Sequence, residues 1–283
     1  MSKSIELLAW IGKRIGKPPG WERVVMLLAP PERCRAMPDI CVVRDDMLFV
    51  AQPSVPLGWR IAMFGSYEPE LREIFRAVLP VGGVAVDVGA NVGWHTLLMA
   101  RLVGQGGRVL AAEANPSVRQ RLQGNVGLNR FRHVEIVPYA IGDSEGTVDF
   151  YGPDAGDAGS GNGYVVSGAA APGNSTFRVE TRRLDSIVAG AGADRLDLVK
   201  IDVEGFEWPV LRGAEESVAK FRPHIVFEYN AEYAHRGGGT PALLEDFFAR
   251  HRYQLFAVGR NWAEALSPGR WPQCADIWAV PAN

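Results

Sequence analysis

Asp87-Val88-Gly89-Ala90-Asn91-Val92-Gly93 is the stretch whose residue types and spacing point most directly to chemistry. An acid and two glycines between an apolar run and a helix-like segment describe a strand end, a tight turn and a helix start, where backbone N–H groups meet a ligand. Gly89 and Gly93 suit that turn. Asn91 stands where a dinucleotide fingerprint has its middle glycine, and its side chain would crowd a pyrophosphate. Asp87 would repel a phosphate and attract an ammonium or sulfonium, so the turn favours S-adenosylmethionine over NAD. Glu113 comes twenty residues after Gly93, at the end of a second apolar run, where an acid accepts hydrogen bonds from both ribose hydroxyls. The plainer alternative for Glu113 is a cap on the helix that Asn115-Pro116 begins.

Further along, Tyr139-Ala140-Ile141-Gly142-Asp143 closes a third run. A ligand laid across the strand ends puts its adenine here, with backbone near Ala140 reading the base edge and Ile141 or Tyr139 covering its face. Asp143 either bonds the adenine amine or starts the turn through Ser144 to Gly146. The fourth run delivers Lys200-Ile201-Asp202-Val203-Glu204-Gly205-Phe206-Glu207 and the fifth Phe227-Glu228-Tyr229-Asn230. Asp202, Glu204 and Glu228 thereby reach one sheet edge, where they orient a substrate hydroxyl, act as general base or hold a divalent metal. Asp202 is the first candidate for base together with Glu228; Glu204 has the alternative of capping the helix near Gly205, and Lys200 that of neutralising a neighbour. His95, on the first turn after the glycines, is a reserve base or a packing residue. His133, His224, His235 and His251 lack metal-ligand spacing, and no GxSxG or HExxH motif is present.

These residues need a scaffold that brings strand ends together. Val84–Val88, Arg108–Glu113, His133–Tyr139, Leu196–Asp202, His224–Tyr229, Gln254–Val258 and Asp276–Val280 read as strands. Val92–Val103, Pro116–Leu128, Leu184–Val188, Glu207–Lys220 and Pro241–His251 read as the intervening helices. Continuous apolar strands alternating with helices mean a doubly wound α/β fold with a mainly parallel sheet covered on both faces. Before it, residues 1–65 read as an extension that contacts substrate or a second copy of the chain. It holds a basic amphipathic helix at Ile5–Ile15, a helix at Trp21–Ala29, a hairpin of Ile40–Val43 and Met47–Ala51, and an extended stretch at Trp59–Phe64. The first helix either lies on a membrane surface or packs on the body. Between the third and fourth runs, Thr147–Tyr151 and Phe177–Arg182 are β-like and flank a Gly, Ala, Ser and Asn-rich segment, 152–175, that is either a lid or a hairpin tip.

Composition narrows the classes. The 283 residues are 47% hydrophobic and 22% charged, enough to bury a core. Thirty basic against thirty-two acidic residues give a formal charge of −2, without the basic excess of a nucleic-acid binder. No apolar run spans a bilayer, no signal peptide is recognisable, and Cys34, Cys41 and Cys274 form neither a zinc pattern nor a disulfide framework, so a cytoplasmic setting is expected.

Taken together the motifs resemble the FkbM-type S-adenosylmethionine-dependent methyltransferases. The resemblance runs from Tyr67-Glu68-Pro69-Glu70 through the Asp87 turn, Ala112-Glu113-Ala114-Asn115-Pro116 and Ala140–Gly146 to Leu184-Asp185, Lys200–Glu207, Arg222-Pro223 and Phe227-Glu228. It implies a Rossmann-like class I methyltransferase domain over 66–283, with a seven-stranded sheet whose last strand is antiparallel, and O-methylation of a sugar, polyketide or similar metabolite. By the family pattern Glu68, Asp87, Gly89, Asn91, Gly93, Glu113 and Ala140, with neighbours Ala114, Tyr139 and Ile141, fall on the cofactor side. Asp202, Glu204 and Glu228 fall on the acceptor side. N-methylation is the weaker rival, because Asp202-Val203-Glu204-Gly205 replaces the Asn/Asp-Pro-Pro-aromatic motif of many N-methyltransferases. A non-catalytic cofactor-binding protein is the rival from another class.

Overall fold

Val84, Val86 and Val88 alternate with Ala85 and Asp87 along a fully buried strand, and that alternation divides the molecule into two cores. The computed structural model describes residues 21–152, 163–166, 176–259 and 262–282. The Ile5–Ile15 helix, and all of the 152–175 segment except Gly152 and 163–166, lie outside the described residues.

Helix α1 spans Trp21–Leu28, and β1 (Ile40–Arg44) pairs antiparallel with β2 (Met47–Ala51) across a turn in which Asp45 and Asp46 take left-handed backbones. The expected extended stretch at Trp59–Phe64 is instead the body of α2 (Pro56–Phe64). Pro56 opens it and Gly65, at φ 66°, closes it with its N–H on Ile61 O. A short run in which Trp59, Ile61, Ala62, Met63 and Phe64 are all buried and only Arg60 is exposed shows little helical period, and the Pro and Gly signals outweigh its β-like composition.

Helix α3 (Pro69–Val78) leads into β3 (Val84–Val88), α4 (Trp94–Val103), β4 (Arg108–Ala112), α5 (Pro116–Leu128) and β5 (Val134–Val137), two parallel crossovers in a row. The third strand ends two residues earlier than Tyr139 because Pro138 has no N–H for the ladder; the chain leaves the main sheet there. A second, four-stranded sheet follows in the order β6-β9-β7-β8, from β6 (Ala140–Gly142), β7 (Gly146–Tyr151), β8 (Tyr164–Val165) and β9 (Thr176–Arg183).

After α6 (Leu184–Gly190) and β10 (Leu198–Ile201), the single helix expected over Glu207–Lys220 is two, α7 (Glu207–Arg212) and α8 (Glu215–Phe221). The break is fixed by Asp185, whose carboxylate accepts the N–H groups of Glu216 and Ser217 at the start of α8. Then come β11 (His224–Asn230), α9 (Pro241–Arg250), β12 (Tyr253–Gly259), β13 (Trp262–Ala265) and β14 (Cys274–Pro281). The main sheet has the order β13-β12-β14-β11-β10-β3-β4-β5, with β14 antiparallel between β11 and β12. It holds eight strands rather than seven, because β13 folds back as a hairpin on β12 and adds an edge.

One core lies between the sheet and α6–α9 and contains Val86, Leu211, Phe227 and Phe247. The other gathers Phe49 and Ile61 from the N-terminal segments with Phe75, Leu97, Met99 and Leu122. Residues 40–64 thus pack into the same core as α3 and α4. Among the described residues no helix is long and apolar enough to cross a membrane.

Candidate active site

A cavity of about 460 Å³ opens at the carboxyl ends of β3, β4, β10 and β11, where parallel α/β sheets place their ligand sites. The glycine turn forms its floor. Gly89 sits at φ 78°, and a Cβ there would run into the carbonyl oxygen of Asp202, so only glycine lets the β3 and β10 ends approach this closely. The Gly89 and Ala90 N–H groups both donate to Ala112 O, at 3.0 and 2.9 Å.

Glu113 binds the two neighbouring turns together. Its Oε2 accepts the Asn91 N–H at 2.9 Å and its Oε1 the Asn115 N–H at 2.8 Å. The cap on α5 is Asn115, whose Oδ1 accepts the Ser117 N–H at 3.0 Å, so Glu113 is not spent on the helix. Burial pushes the Glu113 carboxyl up to about 7, against the opposing pull of the Asn115 and Asn91 amides and of Arg119. Gly89, Asn91, Glu113, Ala114, Tyr139, Ala140, Ile141 and Glu68 all line the cavity. Asp143 does not; it pairs with Arg212.

Asp87 and Gly93, expected on the cofactor side, are not among the residues that line the cavity. Residues on β3 alternate in direction, and Asp87 points away from Val86 and Val88, into the core under α4. There it is fully buried, accepts the Thr96 hydroxyl at 2.6 Å and lies 3.8 Å from Lys200 Nζ. Gly93 packs on Leu122 and shapes the start of α4.

The other end of the cavity is acidic. Asp202, Glu204 and Glu228 are brought together as their strand-end positions suggested, and Asp276 joins them from β14, directly across from Glu228 in the antiparallel register. Lys200 Nζ stands 3.1 Å from Asp202 Oδ2. Burial alone would lower the Lys200 ammonium, but Asp202, Asp87 and Glu68 outweigh it and hold the charge firmly. Burial, followed by Asp202, pushes Glu204 up to about 7, and burial with Asp202, Glu204, Glu207 and Asp276 pushes Glu228 up to about 9. Asp276 is raised well above its ordinary range, by burial first and then by Glu68 and Asp202. Glu204 does not cap α7, whose N-cap residue is Phe206 with no side-chain cap; Glu207 Oε1 instead accepts the N–H groups of Val203 and Gly205 at 3.1 Å each and holds the turn before the helix.

His95 is 6% exposed, with Nε2 2.8 Å from Glu68 Oε2 and the Phe75 ring edge-on at 5.6 Å. Burial pulls the Glu68 carboxyl upward, but the His95 contact, Lys200 and Tyr67 together leave it below its ordinary value. Glu68, Asn91 and Glu204 share a further property: each is a non-glycine residue in the left-handed region, at φ 43°, 49° and 54°, and all three line the cavity.

Lys200, Tyr67 and Asp276 are site residues that motif reading did not assign. A lysine inside the apolar run Leu198–Ile201 was the available signal for Lys200, since an ammonium is buried only beside anions. A divalent metal held by the carboxylates does not suit the arrangement. Among the described residues no group of three or more His, Cys, Asp or Glu is placed to hold one, and Lys200 already engages Asp202.

Comparison with known proteins bears on the same segments. Residues 87–255, more than half of the chain, match the Methyltransferase FkbM domain family. The 2-O-methyltransferase NoeI of Sinorhizobium fredii is 32% identical over 167 residues, which cover 54% of this chain and 66% of NoeI. AMB antimetabolite synthetase AmbE of Pseudomonas aeruginosa is 29% identical over 272 residues, covering 75% of this chain and 13% of AmbE. The chain therefore spans a small part of one curated relative and about two thirds of the other. Methyltransferase FkbM from Methylobacillus flagellatus, a solved structure, aligns over 92% of this chain and 60% of its own at 16% identity, with a TM-score of 0.44. On the family match over residues 87–255, the chain belongs to the FkbM family of methyltransferases.

Proposed function

We propose that the protein transfers a methyl group from S-adenosylmethionine to a hydroxyl of a small acceptor, a sugar, polyketide or related metabolite. One observation carries this reading: a single cavity runs from the glycine turn and Glu113 to Asp202, Glu204 and Glu228. Its size is that of a small-molecule site. A carboxylate has about four acceptor positions, and the Asn91 and Asn115 amides use two of those on Glu113, which leaves two for a ribose diol. S-adenosylmethionine supplies an electrophilic methyl group on a sulfonium.

The chain supplies alignment and proton handling. A neutral alcohol is a weak nucleophile and needs a base as the C–O bond forms. Asp202, ion-paired to Lys200 at the mouth of β10, takes that proton in this scheme. Glu228, pushed up to about 9, is protonated at neutral pH and serves as a hydrogen-bond donor that orients the acceptor. His95, buried and paired with Glu68, fixes Glu68 rather than acting as base. Residues 66–283 form the methyltransferase domain in this reading, and the preceding segment contributes to acceptor selection through Leu57 and Arg60 on the cavity wall.

Amine methylation has one feature in its favour, since Glu204, Glu228 and Asp276 would also suit an amine-bearing acceptor. The deciding experiment is calorimetric titration of the full chain with S-adenosylmethionine and with NAD, followed by methyl-transfer assays on paired hydroxyl and amine acceptors. Saturable S-adenosylmethionine binding weakened by Glu113→Ala, with transfer to hydroxyls, is the expected result. Binding of NAD alone would overturn the proposal.

A further inference from the structure

Strand β8 has only two residues, and they face opposite ways, as neighbours on a strand do. Val165 is buried against Ala114, Ala140 and Phe150, the wall at the cofactor end of the cavity. Tyr164 turns outward, and the Arg236 guanidinium lies over its ring, 4.0 Å from the centre. The same guanidinium lies 4.1 Å from the centre of the Tyr233 ring, while its Nη1 donates to the Glu204 carbonyl at 2.9 Å. The next residue repeats the tie, because the Gly237 N–H donates to Gly205 O at 2.9 Å.

A planar guanidinium stacks on rings through its faces and donates hydrogen bonds in its plane; an ammonium does not combine the two. Arg236 therefore joins three pieces of chain: β8, the turn after β11, and the acceptor-side loop that holds Glu204 in a left-handed backbone. Neither Arg236 nor Gly237 lines the cavity, so a ligand at the cofactor end reaches them only through intervening residues.

We propose that Arg236 is a positioning residue which, through Tyr164, makes the loop carrying Glu204 respond to occupancy of the cofactor end of the cavity. The proposal rests on the methyltransferase reading above. A ligand that fills the space beside Ala114 and Ala140 holds Val165 in place; Tyr164, on the same two-residue strand, is then held against Arg236, and Arg236 holds the Glu204 carbonyl. Two sites coupled in this way favour each other's occupancy, so the acceptor end is held more firmly when the cofactor end is filled.

Amide hydrogen exchange on the full chain, with and without S-adenosylhomocysteine, tests the link without knowledge of the acceptor. In the wild type the probe slows the Asn91 and Asn115 amides, which touch the site, and also the Gly237 amide, by about tenfold. Arg236→Ala and Arg236→Lys keep the first effect and reduce the second to less than about twofold. Tyr164→Phe, which retains the ring, behaves as the wild type. The readout is the change caused by the probe, so a merely loosened variant does not imitate it. Protection of Gly237 that persists in both Arg236 variants, or is missing in the wild type while Asn91 and Asn115 are slowed, overturns the proposal. Absence of slowing at Asn91 and Asn115 as well overturns the cofactor reading itself, and this proposal with it.

Discussion

Lys200 sits directly beside Asp87 in the parallel register of β10 on β3, with its ammonium 3.8 Å from Asp87 Oδ1 and 3.1 Å from Asp202 Oδ2. Asp87 Oδ1 has no hydrogen-bond partner among the described residues, so the lysine is what compensates that buried oxygen. The acid of the glycine turn and the acid at the acceptor end are thus linked through one cation.

Lys200→Met should destabilise the fold by about 3–5 kcal/mol, because it leaves the fully buried Asp87 without its ion partner. Adding Asp87→Asn to that variant should recover more than half of the loss, since an amide retains the Thr96 contact without the charge. Thermal unfolding of the two single variants and the double variant checks this. Additive losses would mean that the two residues are independent.

Glu113→Gln and Glu113→Ala should separate the two tasks of that side chain. Glutamine keeps one amide acceptor and should weaken S-adenosylmethionine binding about tenfold, whereas alanine also frees the Asn91 and Asn115 amides and should weaken it about a hundredfold or more. Isothermal titration measures both, and equal losses would place Glu113 outside the ligand contact.

Asp202→Asn preserves the shape of this end of the cavity and removes the carboxylate proposed as base. Turnover should fall by roughly 10² to 10⁴ while cofactor affinity changes by less than about threefold. A parallel fall in both would assign Asp202 to cofactor binding instead.

The raised carboxyl at Glu228 fixes a pH trend for the ligand-free protein. Its folded value of about 9 exceeds the unfolded value of ~4.3, so the folded chain binds more protons between those limits. Stability therefore falls as pH rises from about 5 to about 9 and is regained on acidification within that window. Glu207, held up to about 7 chiefly by burial, adds to the same slope in the lower part of the window. Melting temperatures across the range should show this decline, and Glu228→Gln should flatten its upper part. An unchanged slope in that variant would remove Glu228 from the titrating set.

Local chemistry was readable where the signal was local. The glycine turn, Glu113 and the strand-end acids follow from apolar runs that stop at polar residues, and the cavity gathers Gly89, Asn91, Glu113, Asp202, Glu204 and Glu228. The burial of Asp87 under α4 follows from the two-residue period of β3, which turns it to the face opposite Val86 and Val88, a feature that its place in the motif does not display. Asp276 was out of reach, since its position depends on β14 inserting between β11 and β12, a pairing of distant segments that no local pattern encodes. Trp59–Phe64 failed for the opposite reason: a short run buried at every position but Arg60 shows little period, and only its flanking Pro56 and Gly65 mark it as helix.

The left-handed backbones of Glu68, Asn91 and Glu204 set backbone ease against the presence of a side chain at three positions of the cavity wall. Glycine at any of them would relax about 1 kcal/mol of backbone strain while deleting a side chain from the cavity wall, and at Glu68 it would also take from buried His95 the carboxylate it meets at 2.8 Å.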